Sequence, residues 1–194
     1  MGHAAGSLSP ALSAGVAAHL TLCPHCREEV RDYEALGGAL VEGAGAGVPA
    51  AFTEPTGGPE VEPPGRPTAS SYPWPLARLH GLDTGSLAWK RLLPGVEEHV
   101  LEAGIGRRVS LYRVAPGASV PRHTHAGEEF TLVLEGGYTD SLGAFTRGDV
   151  EFADDSVDHR PVAMAGRPCV CFVVTEGPLR FRGLAGILLN WLST

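Results

Sequence analysis

The sequence has no apolar run that approaches the roughly 20 residues needed to cross a membrane, and no charged-then-apolar segment opens it. It also lacks an excess of basic residues: Lys and Arg number 15 against 22 Asp and Glu, a formal net charge of -7. These deficits argue against binding to a membrane or directly to nucleic acid. We therefore expect a cytoplasmic protein that is better suited to a basic partner.

Cysteine is scarce too, with four residues in a chain of 194. In a reducing compartment so few thiols do not indicate a disulfide framework, and they favour metal binding or redox chemistry. Charged residues make up 19% of the chain against 43% hydrophobic residues. The composition therefore predicts a folded protein with a packed core.

The first zone of the chain, residues 1–45, is predicted to be helical. Proline favours the first turn of a helix, where its missing N–H is not needed. Ser9-Pro10 and Cys23-Pro24 therefore predict two helix starts, the first with a capping hydroxyl.

Two further zones follow. Residues 46–70 are dense in glycine and proline and indicate a flexible linker. In residues 71–194, short apolar or alternating runs between glycine turns predict antiparallel strands. The predicted fold class is α+β: a small helical domain, the linker, and an antiparallel β-barrel of the jelly-roll type.

In "PRHTHAGEEFTLVLEGG", residues 121–137, His123 and His125 are followed closely by Glu128 and Glu129. Residues i and i+2 of a strand face the same side, so His123 and His125 are expected to point at one place, with Glu129 in reach. Imidazole and carboxylate groups bind zinc and other divalent transition metals, and these residue types do not identify which. Glu128 is the competing carboxylate, and we expect it to face outward.

The spacing of these residues resembles the two motifs of the cupin family. Glycines precede His123, follow Glu129 and precede His159 at the family's offsets; they are Gly117, Gly136 and Gly148. The second motif is a partial match, because Asp154 and Ser156 stand where the family has proline and glycine. The resemblance implies a cupin jelly roll whose metal ligands are His123, His125, Glu129 and His159.

A second cluster lies in the first zone, where His19, Cys23 and Cys26 form a His-x3-Cys-x2-Cys run. His19 and Cys23 share one helical face, and both thiols lie near a helix start, where the helix dipole favours thiolate. Such a cluster is typical of a zinc site, which needs one more ligand to complete a tetrahedron. The alternative is a pair of buried structural cysteines beside a helical histidine.

The first zone resembles the zinc-binding anti-sigma domain, and with a cupin behind it nearly the whole chain resembles the ChrR family of anti-sigma factors. The resemblance rests on "AAGSLSPALSAGVAAHLTLCPHC", "YEALGGAL" and the cupin motifs. The family's fourth zinc ligand is an upstream histidine that would precede Met1 here. The fourth ligand is therefore open among His3, His25, water and a residue outside this sequence, with His3 preferred.

The resemblance implies a zinc-dependent anti-sigma factor. Its helical domain would hold zinc and bind an extracytoplasmic-function sigma factor, and its cupin domain, with zinc or another divalent transition metal, would sense a signal and release the partner. Residues 1–50 agree with this, since they carry two basic and five acidic residues. They also contain an apolar helical stripe that suits a groove on a basic partner: Val30, Tyr33, Leu36 or Gly37, Leu40 and Val41. Packing inside the domain is the other explanation of the stripe.

Two other function classes stay open. Three histidines and a glutamate also support metal-dependent dioxygenases and isomerases, so an enzyme that acts on a small molecule is the alternative. Metal identity would discriminate, because zinc favours the regulator and iron with oxygen consumption favours the enzyme. A stand-alone ligand-binding cupin is the third class, and it leaves the first-zone cluster unexplained.

Two further features lie near the C-terminus of the sequence. Cys169 and Cys171 in "PCVCFVV" are i and i+2 on a predicted strand, so both thiols face one side. They are interpreted as a redox-responsive pair near the metal or as small buried hydrophobes. The apolar segment "LAGILLNWLST", residues 184–194, is either a closing element of the barrel or a self-association surface that would make a homodimer.

Overall fold

The computed structural model describes residues 1–43, 72–80 and 87–181 of the chain. The chain divides into two compact units, Met1–Gly81 and Leu82–Thr194. The predicted linker and the C-terminal segment 184–194 lie outside the described residues. No helix in the described ranges is long and apolar enough to span a membrane.

The first unit contains the helices α1 (Pro10–Leu22), α2 (Pro24–Gly43) and α3 (Trp74–His80). Both predicted helix starts are confirmed, and the Ser9 hydroxyl caps α1 by accepting a hydrogen bond from the Leu12 amide at 3.5 Å. The residues of α3 lie within residues 71–194, the zone that was predicted to form strands. In the structure α3 packs against α1, and its Leu76 is fully buried.

The helices α1 and α2 differ in what they bury. Small residues on one side of α1 are buried: Ala11, Ala14, Gly15 and Ala18. By contrast, α2 contains no buried residue. Four large apolar side chains of its predicted stripe are 39% to 66% exposed; they are Tyr33, Leu36, Leu40 and Val41.

The second unit is an antiparallel jelly roll, as predicted. Its strands are β1 (Lys90–Leu93), β2 (Val96–Gly104), β3 (Arg107–Val114), β4 (His123–His125), β5 (Glu129–Glu135), β6 (Gly137–Thr139), β7 (Ala144–Thr146), β8 (Val150–Ala153), β9 (Val162–Ala163), β10 (Cys169–Glu176) and β11 (Leu179–Phe181). They form a six-stranded sheet of order β1-β2-β3-β10-β5-β8, a three-stranded sheet β7-β6-β9 and a pair β11-β4. Among the described strands the sheets do not join into one closed barrel.

Alternation along the central strands gives the large sheet two buried faces. Apolar residues such as Leu111, Leu132 and Phe172 are fully buried on one face. The opposite face carries Glu129 on β5, whose cross-strand neighbour on β10 is Thr175. It also carries Val96, Val133, Cys169 and Cys171, which form a core cluster with Tyr138 of the three-stranded sheet.

The turn between β5 and β6 explains one glycine of the cupin motif. Gly136 has a φ of +68°, a conformation that other residues rarely adopt. A Cβ at this position would also overlap the carbonyl oxygen of Pro168. Glycine is therefore required here by the conformation and close contacts of the backbone.

Candidate metal centre

The strand β4 places two histidine side chains on the inner side of the second unit. It consists of His123, Thr124 and His125 and pairs with β11, opposite Phe181 and Leu179. His123 and His125 are 2% and 0% exposed, and the alternate residue Thr124 is only partly buried. The period of the strand thus directs both imidazoles inward.

Glu129 and His159 join these histidines from other segments. Glu129 opens β5, and His159 follows β8 and is joined to His123 by two backbone hydrogen bonds of 3.0 and 3.1 Å. One ligand atom from each of the four residues His123, His125, Glu129 and His159 lies within 4.8 Å of every other. The structure therefore brings together all four residues predicted for the cupin site, and Glu128 is exposed.

The hydrogen bonds of two histidines fix which ring nitrogen faces the centre. The Nδ1 atom of His123 lies 2.8 Å from the carbonyl oxygen of Pro121, and that of His125 lies 3.2 Å from the carbonyl oxygen of Asp154. A carbonyl only accepts hydrogen bonds, so each Nδ1 must donate. In the neutral ring the lone pair is then on Nε2, the atom that faces the cluster.

The Nε2 atoms and the carboxylate provide a set of donor atoms that fits a transition-metal cation. The Nε2 atom of His125 is buried without a hydrogen-bond partner and lies 3.7 Å from Oε1 of Glu129. The Nε2 atoms of His123 and His159 are 3.1 Å apart. A shared cation accounts for both features, since lone pairs would converge on it and the orphaned nitrogen would be satisfied.

Burial and charge shift the pKa values in this cluster. Burial lowers the pKa of His123 to about 4, although the Glu129 carboxylate opposes the shift. Burial also lowers the pKa of His159, but the carboxylates of Glu151 and Asp140 have the larger effect and raise this pKa overall. Burial favours the neutral form of Glu129, yet the adjacent imidazole of His125 and those of His123 and His159 lower its pKa. The carboxylate is thus ionised at neutral pH.

The departure from the second cupin motif has a local explanation. Asp154 accepts hydrogen bonds through Oδ1 from the Ser156 amide at 2.9 Å and from its hydroxyl at 2.5 Å. These two residues therefore stabilise the turn that proline and glycine form in the family pattern. The backbone carbonyl of Asp154 is the same group that orients His125.

Two carboxylates next to Nδ1 of His159 were not predicted from the sequence. Oδ2 of Asp140 lies 2.7 Å from the Nδ1 atom of His159, and Oε1 of Glu151 lies 2.9 Å from it. Asp140 belongs to the turn after β6, and Glu151 lies on β8. Neither residue has a fixed spacing from the histidine motif, so only the pairing of strands brings them to this ring.

In the first unit, His19, Cys23 and Cys26 surround the junction of α1 and α2. Their ligand atoms lie within 4.8 Å of one another, and all three residues are partly buried. His3 and His25 are not part of this group. The Cys23 amide donates to the carbonyl of His19 at 2.8 Å, which closes α1 just before α2 begins.

The pKa of Cys26 differs from the expectation based on the helix dipole. Burial and the neighbouring Cys23 thiol raise it, with a further contribution from Glu29. Desolvation and nearby negative charge therefore favour the protonated thiol of Cys26. A bound cation would reverse this balance, since thiols deprotonate when they coordinate a metal.

Cys169 and Cys171 are buried on β10 with their sulfur atoms 3.5 Å apart. The register of β10 against β5 shifts between Val170 and Cys171. The hydrogen bond within the pair raises the pKa of Cys171 and lowers that of Cys169. The two thiols face the same side, as the alternation predicted, and the same face of the sheet carries Glu129.

Comparison with known proteins relates these clusters to one family. Residues 78–179 match the ChrR cupin-like domain family. The anti-sigma-E factor ChrR of Cereibacter sphaeroides is 37% identical over 188 residues, which covers 92% of this chain and 87% of that protein. The crystal structure of Rhodobacter sphaeroides SigE in complex with the anti-sigma ChrR matches with a TM-score of 0.74 and 36% identity, covering 90% of this chain and 94% of that chain. Because these matches extend over both units, the chain belongs to the ChrR family of anti-sigma factors.

Proposed function

We propose that this chain is a zinc-dependent anti-sigma factor. Its first unit binds an extracytoplasmic-function sigma factor in the cytoplasm and keeps it from RNA polymerase, and its second unit releases that partner in response to a signal. The observation that carries the proposal is the 37% identity to an anti-sigma factor over 92% of the chain. The solved complex of ChrR with SigE supports a sigma factor as the class of partner.

The exposed face of α2 supports a docking role for the first unit. Tyr33, Leu36, Leu40 and Val41, the α2 stripe, recur at helical spacing and are largely exposed. Acidic residues surround the stripe in sequence; they are Glu28, Glu29, Asp32, Glu34 and Glu42. An apolar stripe with an acidic border suits an apolar groove on a basic, DNA-binding protein.

We infer two cation sites with different donor sets. In the first unit, two thiolates and an imidazole from His19, Cys23 and Cys26 favour zinc, completed by a fourth ligand that remains open. In the second unit, the set of His123, His125, Glu129 and His159 favours zinc or another divalent transition metal. When bound there, a cation would supply the positive charge that holds separate segments together.

The enzyme alternative lacks comparable support. The same three-histidine, one-glutamate set occurs in metal-dependent oxygenases, but the two matches that cover at least 90% of this chain are the anti-sigma factor ChrR and its complex with SigE. A regulatory assignment also gives the cysteine-containing cluster of the first unit a role. We therefore infer a sensory rather than a catalytic cupin unit.

Binding to a sigma factor tests the proposal directly. The full chain is mixed with an extracytoplasmic-function sigma factor from the same organism, and complex formation and transcription by the reconstituted RNA polymerase are measured. Leu36→Asp and Leu40→Asp are each expected to weaken binding by about 10-fold to 100-fold, because burial of a leucine contributes roughly 1.5–3 kcal/mol. Both variants should restore transcription.

Ile105→Asp is the matched control, since it makes the same change at a fully exposed position in the second unit. It should bind and inhibit like the unaltered chain. Failure of the unaltered chain to bind the sigma factor, with both cations present, would reject the proposal. Equal binding by all three variants would reject only the α2 surface.

A further inference from the structure

The three histidines of the cupin cluster are not supported alike. His123 and His125 each direct Nδ1 to a neutral backbone carbonyl. His159 instead directs Nδ1 to two carboxylates, Asp140 at 2.7 Å and Glu151 at 2.9 Å. On the side away from the cluster, the His159 ring thus contacts a pair of negative charges. Among the described residues, the rings of His123 and His125 have no carboxylate at Nδ1.

Both carboxylates are buried and held in place. The Asp140 side chain is fully buried, and its Oδ1 accepts hydrogen bonds from the amides of Leu142 and Gly143 at 2.8 and 3.2 Å. The Glu151 side chain is 3% exposed, and its Oε2 accepts the hydroxyl of Tyr138 at 2.5 Å. Burying two carboxylates is unfavourable unless charge or hydrogen bonds compensate. Their shared position next to one imidazole ring therefore indicates that they have a role at His159.

The two acids act on His159 in different ways. A neutral ring carries one N–H on Nδ1, and the hydrogen bond goes to Oδ2 of Asp140. Oε1 of Glu151 faces the same nitrogen but has no hydrogen-bond partner. Asp140 therefore fixes the orientation of the ring, whereas Glu151 adds negative charge beside it.

We propose that Asp140 and Glu151 are positioning residues of the cupin cation site that act through His159. By holding the proton on Nδ1 they keep the lone pair on Nε2 toward the cluster, and their charge strengthens that nitrogen as a donor. Tyr138 holds Glu151 in this position. The inference rests on the proposed cation site and extends it from four residues to seven.

Cobalt binding to the full chain tests this inference, because Co²⁺ reports its ligands in its absorption spectrum. Thiolate ligands in the first unit give charge-transfer bands, and nitrogen and oxygen ligands in the second unit give only ligand-field bands, so one titration follows both sites. Asp140→Asn and Glu151→Gln each remove one negative charge with little change in shape. Each is expected to weaken cobalt binding at the cupin site about 10-fold to 100-fold and to shift its ligand-field bands, with the thiolate bands unchanged.

Asp149→Asn is the matched control. Asp149 also stabilises a turn, since its Oδ2 accepts from the amide and hydroxyl of Thr146 at 2.7 and 2.9 Å, but it is exposed and is not part of the Asp140–Glu151–His159 group. Its cobalt affinity and spectrum should match those of the unaltered chain. A loss of stability alone would not move the ligand-field bands of the folded protein.

The possible results distinguish the positioning role of Asp140 and Glu151 from the cupin cation site on which it rests. Unaltered affinity and bands in both Asp140→Asn and Glu151→Gln would overturn the positioning role. A second cobalt ion at the cupin site, lost in Glu151→Gln, would overturn it in favour of a site bridged by His159. An unaltered chain that shows only thiolate bands would overturn the cupin cation site itself. If Asp140→Asn fails to fold, Glu151→Gln carries the same test, because its amide oxygen can still accept from Tyr138.

Discussion

Acidification of the cation-free protein should destabilise the second unit through His123. Burial lowers the pKa of this histidine to about 4, whereas an unfolded chain has the ordinary value of about 6.5. As the pH falls, the unfolded chain takes up the proton first, so stability is complete above pH 6.5 and is lost progressively down to pH 4. The full difference corresponds to roughly 3 kcal/mol, of which about 2 kcal/mol is lost between pH 7 and pH 5.

His159 should have the opposite effect on the pH dependence of stability. Its pKa is raised by Glu151 and Asp140 against the effect of burial, so its contribution is complete below the ordinary histidine value and is lost as the pH rises through its folded pKa. Glu129 has a lowered pKa and affects stability only in more acidic solution. In the unaltered chain, the pH dependence of stability should thus reflect the opposing contributions of these two histidines.

Variants separate the two contributions. In the presence of a chelator, hydrogen exchange followed by mass spectrometry gives the free energy of opening of β5 and β10 at pH 7 and pH 5. His123→Asn should reduce the loss on acidification by about 2 kcal/mol, and His159→Asn should increase it. His99→Asn removes a partly exposed histidine outside the cluster and serves as the control. The same pH dependence in His123→Asn and the unaltered chain would refute the reasoning.

Two further predictions concern other parts of the second unit. Arg108→Met should lower the free energy of unfolding, measured by urea denaturation, by about 2 kcal/mol, because it leaves the buried Glu98 carboxylate without its guanidinium partner at 2.6 Å. Arg113→Met, which breaks the more exposed pair with Glu97, should lower it by under about 1 kcal/mol. Hydrogen peroxide should oxidise the thiols of Cys169 and Cys171 to a disulfide with release of two waters, since the sulfur atoms are only 3.5 Å apart. Mass spectrometry should show the loss of two hydrogens, and a Cys169→Ser, Cys171→Ser variant that releases its sigma factor normally under peroxide would contradict a sensory role for the pair.

Local signals in the sequence identified the parts of the fold that depend on local chemistry. Ser9-Pro10 and Cys23-Pro24 marked both helix starts because capping and proline act within one turn. The apolar runs of β5 and β10 marked the central strands, which are buried on both faces. Spacing was enough to place His123, His125 and Glu129, since a short strand and a tight connection fix their directions.

The features that were missed depend on contacts between distant residues. β2 contains three glutamates and lacks the apolar or alternating run that predicts a strand, and its buried Glu98 is tolerated only through Arg108 and Ser110 on β3. Likewise, Asp140 and Glu151 meet His159 only because strands from two sheets converge. Segments as short as β7 and β11 carry too few residues to show a period.

The position of the cupin cluster suggests how a change there would spread. Its four side chains come from β4, from the start of β5 and from the connection between β8 and β9. β4 and its partner β11 have three residues each, so few backbone hydrogen bonds hold them, whereas β5 lies inside the six-stranded sheet. Chemistry that separates the four side chains should therefore loosen β4 and β11 first and leave the central sheet intact. Exchange of the amides of Thr124 and Arg180 should then rise on removal of the cation, well before that of Val133 and Val173.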